Sequence, residues 1–281
     1  MKEVNPLRIW KRGSIHVYML LLILPIIFMI GWLFVSSVYN YNSGRISWDN
    51  WGFLFDKIIV NGVTFPLIWP IVWNTLLFGL MITAIDVLFA VPAAYAFSRL
   101  NFRGKSFSLK FLFIMGSFPG ITLLITSFFI MQYLGLLNTM IAVVILSAAG
   151  MLPWHVYILK GFFDEVSWDM EFAAMMDGCT RFQALRQVIL PNLLSGIGAI
   201  AIFAFMSAYG EWLLIKLFIF DNSKLTLAGY LAKMIIDDET KITNFGVITA
   251  IGLFYTVPIG VFYLFTQSTM MKVNIGGSKG V

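Results

Sequence analysis

Six long apolar stretches dominate the chain, at roughly 14–38, 69–97, 109–133, 139–160, 188–218 and 246–270. Each is long enough to cross a bilayer as a helix, which takes about 20 predominantly apolar residues. The segments between them are shorter and polar, and two have a character of their own. Residues 40–66 and 220–245 are rich in aromatic, polar and turn-forming side chains, and the second holds a stretch, 225–236, that reads as a short helix. Gly79, Pro92, Pro119, Gly120, Gly150, Pro153, Gly252 and Pro258 interrupt or flank the apolar runs and are expected to kink them. The pattern predicts an all-α integral membrane protein with six transmembrane helices.

Composition agrees with that reading. Of 281 residues, 59% are hydrophobic and 12% are charged, against about 25% charged in a soluble domain. The first apolar run follows a basic start and continues beyond the length of a secretory signal, with no small-residue cleavage site, so it is expected to be a retained span. The net charge of +5 carries topological information. With the termini on one side, thirteen Lys and Arg fall on that side and five on the other, with Lys216 inside a span. The positive-inside rule then puts both termini in the cytoplasm. No basic patch is interleaved with exposed aromatics, which argues against nucleic-acid binding. The single cysteine, Cys179, can form neither an internal disulfide nor a cysteine-rich metal site.

One cytoplasmic segment breaks the apolar pattern. In "MEFAAMMDGCTRFQALRQVILPN" (170–192) the residues fit helix, glycine turn, helix. Ser167 is a candidate N-cap, with Asp169 and Glu171 complementing the helix dipole in the first turn. Trp168, Phe172, Met175 and Met176 share one face. Gly178 offers the left-handed conformation that ends a helix, and Thr180 with Gln183 forms a capping box for the next. Phe182, Leu185 and Ile189 give the second helix an apolar stripe. On these grounds alone the segment folds against its own bundle, lies on the membrane surface, or docks in a groove on a cytosolic partner.

The segment resembles the loop motif of ABC-importer permeases, Glu-Ala-Ala, three residues and Gly, before an apolar-Leu-Pro ending. Ala173, Ala174, Asp177, Gly178, Leu190 and Pro191 match it, while Phe172 stands at the motif's glutamate and Glu171 just before. Further stretches are similar to carbohydrate-importer permeases, in particular the shorter permease subunit of the maltose type: 46–51, 73–79, 95–105, 155–166, 225–230 and the tail at 276–280. The resemblance implies a type I ABC importer permease fold with a cytoplasmic coupling helix, in which Glu171, Phe172, Ala173, Ala174, Met176, Asp177, Gly178 and Thr180 engage an ATPase. It also implies a second permease subunit, two ATP-binding subunits that hold the ATP and Mg, an extracytoplasmic solute-binding protein, and a carbohydrate substrate. The chain itself would carry no cofactor and catalyse no covalent chemistry. The expected organisation is an N-terminal segment 1–13, a permease domain 14–270 with a coupling loop at 163–187, and a tail 271–281, in a bacterial inner membrane.

Ionisable and polar groups inside the spans are the remaining candidates. A charged side chain at mid-membrane costs about 2.5–3.5 kcal/mol on insertion scales, so such groups face protein or water. Asp86 and Glu211 need partners; Glu211, with Tyr209 and Trp212 beside it and with Asn74 and Asp86 as further candidates, reads as lining a translocation pathway or as making inter-helix hydrogen bonds. Glu211 also falls where the resembled family has a glutamate. His16 and His155 show no carboxylate partner in sequence. "RGKS" (103–106) resembles the end of a phosphate-binding loop, but Arg99 stands where the first glycine belongs and the context is not strand-to-helix, so nucleotide binding is not expected here. A secondary transporter, an importer permease for a non-sugar solute and a membrane-embedded enzyme are the rival readings. The first would often show inverted repeats, and the last would need a polar constellation that two distant histidines do not supply.

Overall fold

The computed structural model describes residues 6–41, 44–60, 63–116, 120–236 and 245–270. Lys2, Pro119, Lys241, Lys272, Lys279 and the tail stretch 276–280 lie outside the described residues. Contacts divide the chain into two compact units, residues 1–67 with 234–257, and residues 68–233 with 258–281.

The first unit begins with α1 (Pro6–Val38). Its apolar length from Tyr18 is almost wholly exposed, as suits a helix that faces lipid or another subunit. Two small antiparallel hairpins come next, β1 (Tyr39–Asn40) with β2 (Arg45–Ile46) and β3 (Ile58–Val60) with β4 (Val63–Phe65), and a 3-10 helix (Asp49–Leu54) lies between them. The buried Asn50 amide ties this cap to the end of α1, donating to the carbonyls of Ser37 at 3.0 Å and Tyr39 at 2.9 Å.

The second unit holds the helical core. α2 (Ile68–Arg99) packs along α5 (Met140–Glu165) and, further on, along α9 (Leu194–Tyr209). Between α2 and α5 run α3 (Lys105–Gly116) and α4 (Gly120–Tyr133). Between α5 and α9 lie α6 (Trp168–Met176), α7 (Arg181–Ala184), a π-turn (Leu185–Ile189) and α8 (Leu190–Asn192). α10 (Leu213–Phe218), a 3-10 turn (Asn222–Lys224) and α11 (Leu227–Ile236) follow in sequence, and α12 (Phe245–Met270) belongs to the first unit as far as Val257 and to the second from Pro258. Ala90, Ala94, Tyr95, Val156, Leu159, Phe163, Ile189 and Ile200 form a buried cluster among α2, α5, the π-turn and α9. Gly79 allows the close approach of α2 to α9, because a Cβ there would fall 2.7 Å from Phe205.

Among the described residues four helices are long and apolar enough to cross a membrane, or up to six spans if each of two bent helix pairs counts as one. The third apolar run is described as two helices, α3 as far as Gly116 and α4 from Gly120. The fifth, expected as one span over 188–218, is broken twice. A 74° bend separates the segment ending at Asn192 from α9, next to Pro191, which has no amide to donate. α9 then stops at Tyr209, and the Glu211 carboxylate accepts the Leu214 amide at 2.9 Å to begin α10. The short helix expected at 225–236 is α11.

Inside the core, His155 of α5 and Asp86 of α2 share a buried hydrogen bond, Nδ1 to Oδ2, at 2.6 Å. The pair satisfies two polar groups that the apolar surroundings would otherwise leave at a cost of about 1–3 kcal/mol each. Asp86→Ala and His155→Ala are each expected to destabilise the purified protein by about that amount, and the double variant by less than the sum. Thermal unfolding in detergent measures this, and strictly additive losses would count against the pairing.

Candidate functional site

The polar block between α5 and α9 folds as two capped helices around a glycine. Ser167 accepts the Asp169 amide at 3.2 Å and starts α6. At its end the amides of Asp177, Gly178 and Cys179 return to the carbonyls of Ala173, Met175 and Ala174, with Gly178 at φ +90°. That left-handed turn is open to glycine without strain. Thr180 and Gln183 then make the reciprocal capping box that opens α7. The adjoining π-turn buries Leu185 and Ile189, so the second helix turns its stripe inward and leaves Phe182 outside.

A buried charge cluster fixes α6 to the bundle. Glu171 is 1% exposed. Its Oε1 accepts the Tyr95 hydroxyl of α2 at 2.8 Å and lies 3.7 Å from Nε of Arg181, while its Oε2 lies 3.6 Å from Nε of Arg99. The same Arg99 donates to the carbonyls of Phe163 at 2.9 Å and Val166 at 2.5 Å, at the end of α5. Its guanidinium also lies over the Trp168 ring, 4.5 Å from the centroid, a cation–π geometry. Ser98 donates to Asp164 at 2.6 Å, and Lys160 pairs with the same carboxylate. One arginine thus joins the end of α2, the end of α5 and the start of α6. Buried charges of this kind are tolerated only when paired, and removing one partner typically costs about 3–5 kcal/mol.

The outer side of the element is apolar. Trp168 stacks on Phe172 with ring centroids 5.8 Å apart. Phe172, Ala173, Asp177, Gly178 and Thr180 are exposed, and Met176 and Phe182 stand out at 88% and 71%. Ala174 is buried with Glu171. The eight residues expected to face an ATPase therefore separate into two anchors, Glu171 and Ala174, and an exposed set of six. Glu171 as a direct docking residue is corrected by its burial: its carboxylate is already used within the chain.

The pathway candidates do not form one cluster. Asp86 is fully buried against His155, and this corrects its place as a cavity-lining group. Asn74 donates to the carbonyls of Ser223 at 2.8 Å and Leu225 at 3.2 Å, holding the loop before α11 on α2. Glu211 is half-buried and begins α10, and Trp212 beside it is exposed. Tyr209 lines an apolar cavity of about 290 Å³ with Leu76, Phe205, Pro258 and Phe262. Among the described residues no group of three or more His, Cys, Asp or Glu side chains could hold a metal ion. Sequence reading missed the Arg99 cluster altogether; the only signal was a charged residue at the end of an apolar run, which is common.

Known proteins share this architecture. The trehalose transport system permease protein SugB of Mycobacterium tuberculosis is 34% identical over 212 residues, covering 74% of this chain and 76% of that protein. The sulfoquinovosyl glycerol transport system permease protein SmoH of Agrobacterium fabrum is 32% identical over 209 residues, with 74% and 72% covered. The maltose/maltodextrin transport system permease protein MalG of Photorhabdus laumondii is 27% identical, with 96% of this chain and 97% of that one covered. A crystal structure of a bacterial ABC transporter involved in the import of the acidic polysaccharide alginate superposes on 95% of this chain, with a TM-score of 0.75 at 21% identity, a likeness of fold. Residues 8–269 match the family described as the inner membrane component of binding-protein-dependent transport systems, and the chain belongs to that family.

Proposed function

We propose that the chain is one of two permease subunits of an ATP-driven importer for a sugar or oligosaccharide, with both termini in the cytoplasm. The observation that carries this reading is the α6–Gly178–α7 element: it is anchored on one side by Glu171 and presents Phe172, Met176 and Phe182 on the other. On this reading the exposed ridge seats in a cleft of one of two ATP-binding subunits, which hold the ATP and Mg and perform the hydrolysis. A binding protein delivers the solute to the opposite side. The topology read from the charge distribution assigns the stretches 40–66 and 220–245 to that side. A second permease completes a pathway of which Tyr209, Glu211 and Trp212 form part of this chain's half.

The substrate class rests on the relatives, whose names refer to trehalose, sulfoquinovosyl glycerol and maltose or maltodextrin. Aromatic rings and a carboxylate suit a carbohydrate, which offers weakly apolar ring faces and hydroxyl donors. Uptake into proteoliposomes carrying all subunits tests the whole reading. Accumulation of a sugar should require internal ATP and the binding protein, and should persist without an ion gradient. Uptake driven by a gradient without ATP would overturn it.

Gly178→Pro removes an amide that donates to Met175 and imposes φ near −65° where the turn needs +90°. It is expected to leave membrane insertion intact and to reduce substrate-stimulated ATP hydrolysis at least about tenfold, a loss of roughly 1.4 kcal/mol in coupling. Unchanged stimulation would exclude the coupling role. Glu211→Gln keeps an oxygen that can accept the Leu214 amide. It should preserve thermal stability and still lower sugar uptake, whereas Glu211→Ala should lower both. Uptake kinetics unchanged in the Gln variant would remove Glu211 from the pathway.

A further inference from the structure

The stretch "RGKS", unsuited to a nucleotide loop, lies in a basic hollow that none of the roles above uses. Asn101, Phe102, Arg103, Lys105, Ser106, Leu109 and Lys110 line an open cavity of about 660 Å³ between the end of α2 and the first turns of α3. Three cations and no carboxylate are among the lining side chains. Lys105 is held in place, since its ammonium donates to the carbonyls of Ser98 at 3.3 Å and Leu100 at 3.1 Å. Arg103 and Lys110 are exposed.

The helix that leads away from this hollow identifies its surroundings. α3 has no buried residue. Phe107 and Phe111 stack at 6.2 Å, and with Phe113, Ile114 and Met115 they are at least half exposed. Phe113 also meets Tyr157 of α5 at 5.9 Å, which holds the helix against the bundle. A helix that is apolar and exposed along its length, with its cations confined to the first turns, matches a bilayer in which acyl chains pass into the headgroup layer. The chemistry presented at that level is guanidinium and ammonium beside amide and hydroxyl donors, which suits a phosphodiester.

We infer that Asn101–Lys110 is a binding site for the headgroup of an anionic phospholipid, whose acyl chains lie along the exposed face of α3. A soluble phosphate compound would use the same cations but would gain nothing from Phe107, Phe111 and Ile114, so the lipid is the favoured source. The inference rests on the proposed orientation only for which leaflet supplies the lipid. Each basic side chain near an anionic surface strengthens binding about fivefold.

The test uses the full chain, with any subunits that co-purify, in nanodiscs of phosphatidylcholine containing phosphatidylglycerol. Native mass spectrometry counts retained phosphatidylglycerol, and thermal unfolding reports its stabilising effect. Arg103→Gln with Lys110→Gln should weaken phosphatidylglycerol binding about 25-fold and remove the stabilisation. The charge-matched control Arg45→Gln with Lys57→Gln should leave both unchanged. Inorganic phosphate added to pure phosphatidylcholine discs should not stabilise the protein. Equal phosphatidylglycerol retention by the double variant and the wild type would overturn the site. So would stabilisation by inorganic phosphate alone, or loss of a co-purifying subunit with lipid retention unchanged. Nanodiscs are symmetric and the readout is binding, so this result is independent of the transport assays that test the importer reading.

Discussion

A carboxylate taken out of water must be met by charge and hydrogen bonds, and Glu171 meets that demand with groups from two other segments. Tyr95 and Arg99 come from α2, and Arg181 from α7. Each partner constrains α6 from a different direction. The orientation of the whole element is a consequence, because a helix of nine residues has little stability alone and takes its position from what its inward side touches. Arg99 extends the constraint by capping the last carbonyls of α5 with the same guanidinium. The exposed ridge of Phe172, Met176 and Phe182 is thus held in place from behind, with no partner needed to order it.

The departure at Phe172 has a physical reason in this cluster. An inward-facing acid exists one position earlier, so the position that carries glutamate in the resembled motif is free to be apolar. Phe172 then extends the stack that runs from Arg99 through Trp168 to the surface. On the proposed reading, a cleft that receives such a ridge would offer it an apolar wall, since removing the phenyl and thioether surface from water is favourable.

What could be read from the sequence was what is local. The apolar runs located the spans, since bilayer thickness sets a length that composition alone reveals. Ser167, Gly178 and the Thr180–Gln183 box were legible because capping involves residues two to four apart. The breaks in the fifth span were not. A single acid within a long apolar run reads as a buried polar group, and the break at 210–212 depends on that side chain turning back to an amide. The cluster around Arg99 and the pair of Asp86 with His155 were hidden for another reason. Both require the register of one helix against another: Asp86 read as needing a partner, His155 showed no carboxylate partner in sequence, and only the packing of α2 on α5 joins them. The pathway residues were the least legible, since exposure to a cavity depends on how helices rotate about their own axes.

These attachments constrain how force can pass through the chain on the proposed reading. α6 is joined to α5 through one short turn capped by Arg99, and to α9 through α7, the π-turn and α8. A displacement of the ridge therefore moves the ends of α5 and α9 together. α2 is tied to the same point by Tyr95 and Arg99, and again deeper in the bundle by Asp86 with His155. The three core helices must then shift as one body, with little sliding between them. Compliance is left to the places where the helix is already bent or broken, at Leu193 and at 210–212. The second of these carries Glu211 and Trp212, so the segment that can yield is also the one that holds the candidate pathway residues. A rigid body that pivots at a break beside its own cavity changes access to that cavity without unpacking its core.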